Sequence, residues 1–208
     1  MSASSAAPQQ KPGIDAQMKF RYGLWAAVAA FLLALPAGAT QTCKPQNIPA
    51  STPTADFVLN RDGTASHKRT GLTWMRCALG QKWDGKTCAG AAAAYEWQQA
   101  LQAAAAFNAA GGYAGHADWR LPNIKELDSI VEIQCYFPAI NLDVFPDAPA
   151  KRFWSDSLDT RHPKSFALFV DFSDGYGDDG RAMFAYPVRL VRGGQPFAAF
   201  DRMSPGGR

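Results

Sequence analysis

Apolar positions along this chain follow two different rhythms. Phe57-Val58-Leu59 is a short strand-like run, Asp62-Gly63 is a hairpin turn signal, and a second strand follows from Thr64 to His67. Leu72-Thr73-Trp74-Met75 makes a third apolar stretch. Between residues 91 and 110 the period lengthens: Trp97, Leu101, Ala104 and Ala105 fall at i, i+4, i+7 and i+8, which predicts one buried helical face. Alanine-rich filling favours the helix and Gly111-Gly112 stops it. A second helix is predicted after Pro122, with Asn123 as its cap, Glu126 completing a capping box, and Ile124, Leu127 and Val131 as the buried stripe. Phe166 to Phe172 alternates apolar residues on both faces and reads as a strand buried on two sides. The polar turn Ser173 to Gly180 separates it from a closing strand around Tyr186 to Arg192.

The first 40 residues have a different character. Residues 2–17 are rich in Ser, Ala, Gln and Pro without apolar period and read as a disordered extension or a mis-called start, with Met18 as an alternative first residue. Lys19 and Arg21 then precede the uncharged run Leu24 to Leu35, and Ala37-Gly38-Ala39 supplies small residues where a signal peptidase cuts. Positive, apolar, small is the order of a secretory signal peptide over residues 18–39. The apolar run falls well short of the ~20 residues a membrane span needs, so no stable membrane insertion is expected after cleavage. Residues 40–54 carry three prolines and read as a linker, 55–194 as the domain, and 195–208 as a flexible tail.

Cleavage changes the electrostatic picture. The full chain has a formal charge of +3, and loss of Lys11, Lys19 and Arg21 with Asp15 lowers it to +1. A nearly neutral mature chain has no bulk attraction to nucleic acid. All four cysteines, Cys43, Cys77, Cys88 and Cys135, lie in the mature part, and an even count in an exported chain reads as two disulfides with three pairings open. Cys77 and Cys88 flank a segment containing the turn formers Asp84-Gly85; pairing them leaves Cys43 for Cys135. There is no C-x2-C pair and the three histidines are scattered, which argues against zinc.

Candidate chemistry concentrates late in the chain. Asp171, Ser173, Asp174, Asp178 and Asp179 are oxygen donors packed closely enough to make calcium the one cofactor worth weighing, against none. The spacing is not that of an EF-hand, since Gly175 stands fifth and no Glu stands twelfth, and a solvated hairpin turn is the alternative. Trp154, Tyr176, Phe184 and Tyr186 could form an aromatic ligand platform, and Arg152, Arg161, His162 and Lys164 a loosely basic stretch. Trp119 and Arg120 read as structural, Arg120 needing a carboxylate from Glu126 or Asp118. No nucleophile-and-base constellation is evident: Ser155 and Ser157 have only His162 nearby, and there is no Gly-x-Ser-x-Gly elbow.

Four ordered segments resemble one family. They are Thr70-Gly71-Leu72-Thr73-Trp74-Met75, Asp118-Trp119-Arg120-Leu121-Pro122-Asn123-Ile124-Lys125-Glu126-Leu127, Phe153-Trp154-Ser155-Asp156-Ser157 and Val188-Arg189-Leu190-Val191-Arg192-Gly193. They are similar to the DUF1566 or Lcl C-terminal domain, and the Trp-Arg-Leu-Pro start is distantly similar to the sulfatase-modifying, formylglycine-generating enzyme group. The resemblance implies an α+β, C-type-lectin-like fold: two helices flanking a small twisted antiparallel sheet, a long loop region, and disulfide staples. The adhesin that names the family binds host glycosaminoglycans and matrix. By that resemblance the chain is expected to be a binding module for a carbohydrate or protein ligand at the cell envelope or outside. Its ligand surface is expected over residues 154–186, with Trp154, Asp174, Tyr176, Asp178, Asp179 and Tyr186 as candidates. The alternatives are an enzyme of sulfatase-modifying type, disfavoured because no cysteine follows Cys135 to bind copper, and a structural subunit of an envelope assembly.

Overall fold

A computed structural model describes residues 41–194. The extension, signal peptide and tail expected at the two ends lie outside the described residues. In chain order the elements are β1 (Thr42–Cys43), β2 (Phe57–Leu59), β3 (Thr64–His67), β4 (Leu72–Met75), β5 (Lys82–Trp83), β6 (Cys88–Ala89) and β7 (Ala94–Tyr95). Then follow α1 (Trp97–Ala109), α2 (Ile124–Asp128), β8 (Cys135–Tyr136), β9 (Arg152–Leu158), β10 (Phe166–Asp171), β11 (Tyr176–Arg181), β12 (Tyr186–Pro187) and β13 (Val191–Gly193). The fold is α+β. The one small sheet expected becomes several antiparallel ones: a four-stranded sheet ordered β13-β4-β3-β2, a three-stranded sheet ordered β11-β10-β9, and the ribbons β1-β8, β12-β7 and β5-β6.

The three-stranded sheet separates two apolar cores. Phe153 opposes Val170 and Trp154 opposes Phe169 across the β9–β10 ladder. Because successive side chains point to opposite faces, each pair serves a different side. Phe153 and Val170 join Trp74, Leu127, Ile130, Ile140, Phe145 and Phe172 on one side. Trp154 and Phe169 join Trp119, Leu121, Val188 and Leu190 on the other, beneath α1.

The buried face of α1 differs from the expected one. Ala100 and Ala104 are buried and Trp97 and Phe107 half-buried, whereas Leu101 and Ala105 are exposed. The alanines give no contrast between faces, so the two aromatic rings at i and i+10 set the rotation, and the small side chains between them let the helix approach closely. Two glycines end it, Gly111 and Gly112 both having positive φ, and a Cβ on Gly112 would overlap the carbonyl of His116.

The second helix is a single turn, and Val131 lies beyond it though still buried. Its capping box is formed: Asn123 Oδ1 accepts from the Glu126 amide at 2.9 Å, and Glu126 Oε2 accepts from the Asn123 amide at 2.8 Å. The closing segment is also divided. Tyr186–Pro187 pairs with Ala94–Tyr95, and Val191–Gly193 pairs with Leu72–Trp74.

Residues 41–54 differ most from their sequence reading as a linker. Gln41 donates to the carbonyls of Pro138 and Ile140, and Cys43 pairs with Cys135 both in the ladder and through a disulfide. Ser51 and Thr52 are bound to the buried carboxylate of Glu132. The segment is a strap whose anchors lie eighty to a hundred residues away, out of sight of local composition. The second disulfide joins Cys77 to Cys88, and no cysteine is free.

Candidate functional site

The segments that carry the family resemblance are bonded to one another. Arg120 pairs bidentately with Glu126, at 2.7 and 2.8 Å, and its backbone exchanges hydrogen bonds with Val191. Arg192 reaches Asp118 at 2.7 Å, while the Asp156 amide donates to the Pro122 carbonyl and the Ile124 amide to Ser157 Oγ. Arg189 is fully buried, its Nη1 donating to the carbonyls of Met75 and Arg76 and its guanidinium lying 4.7 Å from the Phe145 ring centroid. Burial lowers the pKa of Arg189 to about 9. These contacts make the motifs part of the framework.

The candidates proposed from sequence do not form one site. Trp154 is 0% exposed: its ring packs 4.4 Å from that of Tyr186, and its Nε1 donates to the Tyr95 carbonyl at 2.9 Å. It belongs to the core and offers no stacking face to a ligand. The polar turn contracts to residues 172–175, because Tyr176–Arg181 continues as β11 against β10. Asp178 opposes Phe169 and Asp179 opposes Leu168, so the two adjacent carboxylates face opposite sides of the sheet.

The oxygen donors considered for calcium are thereby scattered and locally engaged. Asp171 accepts from the Ser173 amide and from Arg152 Nε; Asp174 accepts from the Tyr176 amide. Asp178 accepts from the Asp179 amide, and Asp179 lies 3.6 Å from Arg161. Among the described residues no three His, Cys, Asp or Glu side chains converge on one point. Tyr176 is exposed, at 66%.

Among the described residues, clefts border the three-stranded sheet at three places. One of about 340 Å³ lies between α2 and β11, where Arg161, Asp128 and Asp179 surround Leu168 and Ile124; burial raises the Asp128 carboxyl above its ordinary range. A second, about 310 Å³, lies against Arg152 and Tyr186. The third, about 470 Å³, opens at the start of α1, walled by Trp97, Leu158, Phe166 and Met183 and rimmed by Glu96 and Lys164. Trp97 is fixed there by its Nε1, which donates to the Ser155 carbonyl at 2.8 Å. Met183 and the neighbouring Phe184 are 67% and 47% exposed on a loop between two strands. Sequence reading missed Trp97, Leu158 and Met183 as surface groups.

The basic stretch is also organised by pairing. Asp159 is buried under loop 159–165, accepting from Arg161 and His162. Burial opposes its ionisation, but the hydrogen bonds from the Arg161 backbone and side chain and from His162 outweigh that and hold its carboxyl at about 2. Ser155 Oγ donates to the Leu168 carbonyl in the interior, so Ser155 and His162 are each committed elsewhere.

Taken together, the described residues form a small, doubly disulfide-linked α+β domain with clefts around a three-stranded sheet. The model of the Lcl C-terminal domain matches residues 63–192, and the chain belongs to that family. No curated protein matches the chain.

Proposed function

We propose that the chain is an exported binding module of lectin-like or adhesin-like type, recognising a carbohydrate or a protein ligand through loops within residues 154–186. The observation that carries this reading is the cleft at the start of α1. It combines a fixed indole edge and apolar walls with one carboxylate, one amide and one ammonium at Glu96, Gln98 and Lys164. Saccharide and peptide surfaces present the same alternation of apolar patches and hydrogen-bonding groups. Exposed Met183 and Phe184 add apolar area that water solvates poorly and a ligand would cover. Export is supported by the leader pattern and by two disulfides, which persist in oxidising compartments. No helix among the described residues is long and apolar enough to cross a membrane.

The test is a glycan array followed by calorimetry on the full chain with its disulfides oxidised. A saccharide that binds, and loses at least about tenfold in affinity with Met183→Ala and Lys164→Ala combined, supports the site; tenfold corresponds to about 1.4 kcal/mol. Binding untouched by both changes would move the site away from this cleft.

A further inference from the structure

The cleft beside Arg152 shares no lining residue with the one at the start of α1, and its chemistry is different. Arg152 and Asp171 are direct partners across the β9–β10 ladder, and Asp171 Oδ2 accepts from Arg152 Nε at 3.1 Å. Arg152 Nη1 donates to Tyr186 Oη at 3.3 Å, and the guanidinium lies 4.9 Å from the Phe169 ring centroid. The group is thus held on an edge and a face before any ligand arrives. A guanidinium has five N–H donors. The two hydrogen bonds Arg152 makes among the described residues leave its Nη2 and one Nη1 proton unused, at a side chain that is half-exposed.

Tyr186 accepts from Arg152 and so keeps its own O–H proton to give. Lys151, exposed, also lines the cleft, so two cations stand against the one carboxylate of Asp171. Asp171 is spent on Arg152 and on the Ser173 amide. A preorganised fork with an additional hydroxyl donor is the arrangement that takes a planar carboxylate bidentately. The remaining walls are Ala94, Ala150, Ala185 and Pro187, with Ser173, whose hydroxyl is already given to the Ala150 carbonyl at 3.2 Å. The alanines leave room for a methyl-sized side chain.

We propose that this cleft is a subsite for the free carboxylate of a small N-acylated amino acid or peptide end, alanine-like in side-chain size. The acyl requirement follows from Lys151, which disfavours a free α-ammonium beside the carboxylate. The subsite stands independently of the carbohydrate or protein reading above.

The probes are N-acetyl-alanine and N-acetyl-alanyl-alanine, their C-terminal amides, and galacturonate, titrated into the full oxidised chain by calorimetry. The acids bind saturably, the amides bind at least about tenfold more weakly, and Arg152→Met removes the difference. Ala185→Leu, on an exposed loop position, fills the cleft and abolishes binding while Arg152 is intact, which separates occupancy from any folding effect of the Arg152 change. Equal affinity for acids and amides overturns the proposal, as does binding of galacturonate with both acyl-amino acids silent.

Discussion

Thr52 gives both its backbone amide and its hydroxyl to Glu132, each at 2.9 Å, across eighty positions of sequence. The other carboxylate oxygen accepts from the Ser51 amide, the Ser51 hydroxyl and the Gln134 amide. A buried carboxylate with five donors is costly to unmake, because removing it leaves backbone N–H groups without partners, each at about 1–3 kcal/mol. Glu132→Ala is expected to destabilise the domain by at least about 3 kcal/mol in urea unfolding, with Glu132→Gln intermediate. Burial pushes the Glu132 carboxyl up, but the Ser51, Thr52 and Gln134 hydrogen bonds outweigh it and leave the carboxyl below the usual glutamate range. A carboxylate depressed on folding contributes stability that is full above the unfolded pKa and is lost as pH falls through the folded one. The wild type should therefore lose stability below about pH 4.3, and Glu132→Gln should show a shallower acid limb.

The two disulfides should differ in what they hold. Cys43–Cys135 spans a sequence separation of 92 and Cys77–Cys88 one of 11. In the chain-entropy model these loops correspond to about 4–5 and about 3 kcal/mol. Serine pairs at each bridge, compared by chemical denaturation, should preserve that order. Removing the longer bridge should also speed hydrogen exchange at the Lys44 amide, which donates to the Gln134 carbonyl, more than at the Thr52 amide. Equal exchange rates at both positions would mean that Glu132 alone holds the strap.

What was readable beforehand was local. The hairpin β2–β3 announces itself through Asp62-Gly63, and Asp62 Oδ1 accepts from the Thr64 amide and hydroxyl. The capping box at Asn123 needs only three residues to declare it. The unreadable parts depended on distant partners. Residues 41–54 look like a linker until Cys135 and Glu132 are placed beside them. Residues 176–180 look like part of the turn because two glycines and two aspartates have poor strand propensity. Gly180 has a packing reason: a Cβ there would sit 3.1 Å from Phe169 and 3.2 Å from Trp154. The candidate site was legible only as a region. Alternation along β11 and burial of Trp154 divided its members among different faces, and nothing in the spacing revealed that division.

Calcium should leave the thermal transition where it is. Asp178 and Asp179 are directed to opposite faces of the sheet, and Asp171, Asp174 and Asp178 each accept a local hydrogen bond. A site with a Kd of about 1 mM, typical of extracellular calcium modules, would add about 1 kcal/mol at 5 mM free calcium. That would raise Tm by a few degrees in a domain of this size. Scanning calorimetry with calcium and with chelator distinguishes the cases, and a reproducible shift of that size would make the acidic hairpin a metal site.

Arg189 supplies the sharpest test of how the framework is balanced. Its side chain is fully buried, and Nε and Nη2 have no hydrogen-bond partner among the described residues. Two carbonyls and the flanking rings of Phe145 and Phe153 are its compensation, and among the described residues no carboxylate pairs with it. Burial disfavours the charged form, so the folded pKa, about 9, lies below the unfolded one. A base depressed on folding binds fewer protons folded than unfolded between those two values, and its contribution to stability therefore improves as pH rises through about 9. Replacing a buried charge by an apolar group of similar length is often neutral or stabilising by about 1–4 kcal/mol. Arg189→Met is accordingly expected to match or exceed the wild type in urea unfolding at pH 7, and to lose the alkaline gain near pH 9–10. Destabilisation beyond about 2 kcal/mol would show instead that the carbonyls of Met75 and Arg76 depend on the guanidinium, making Arg189 a clamp between β4 and the closing segment.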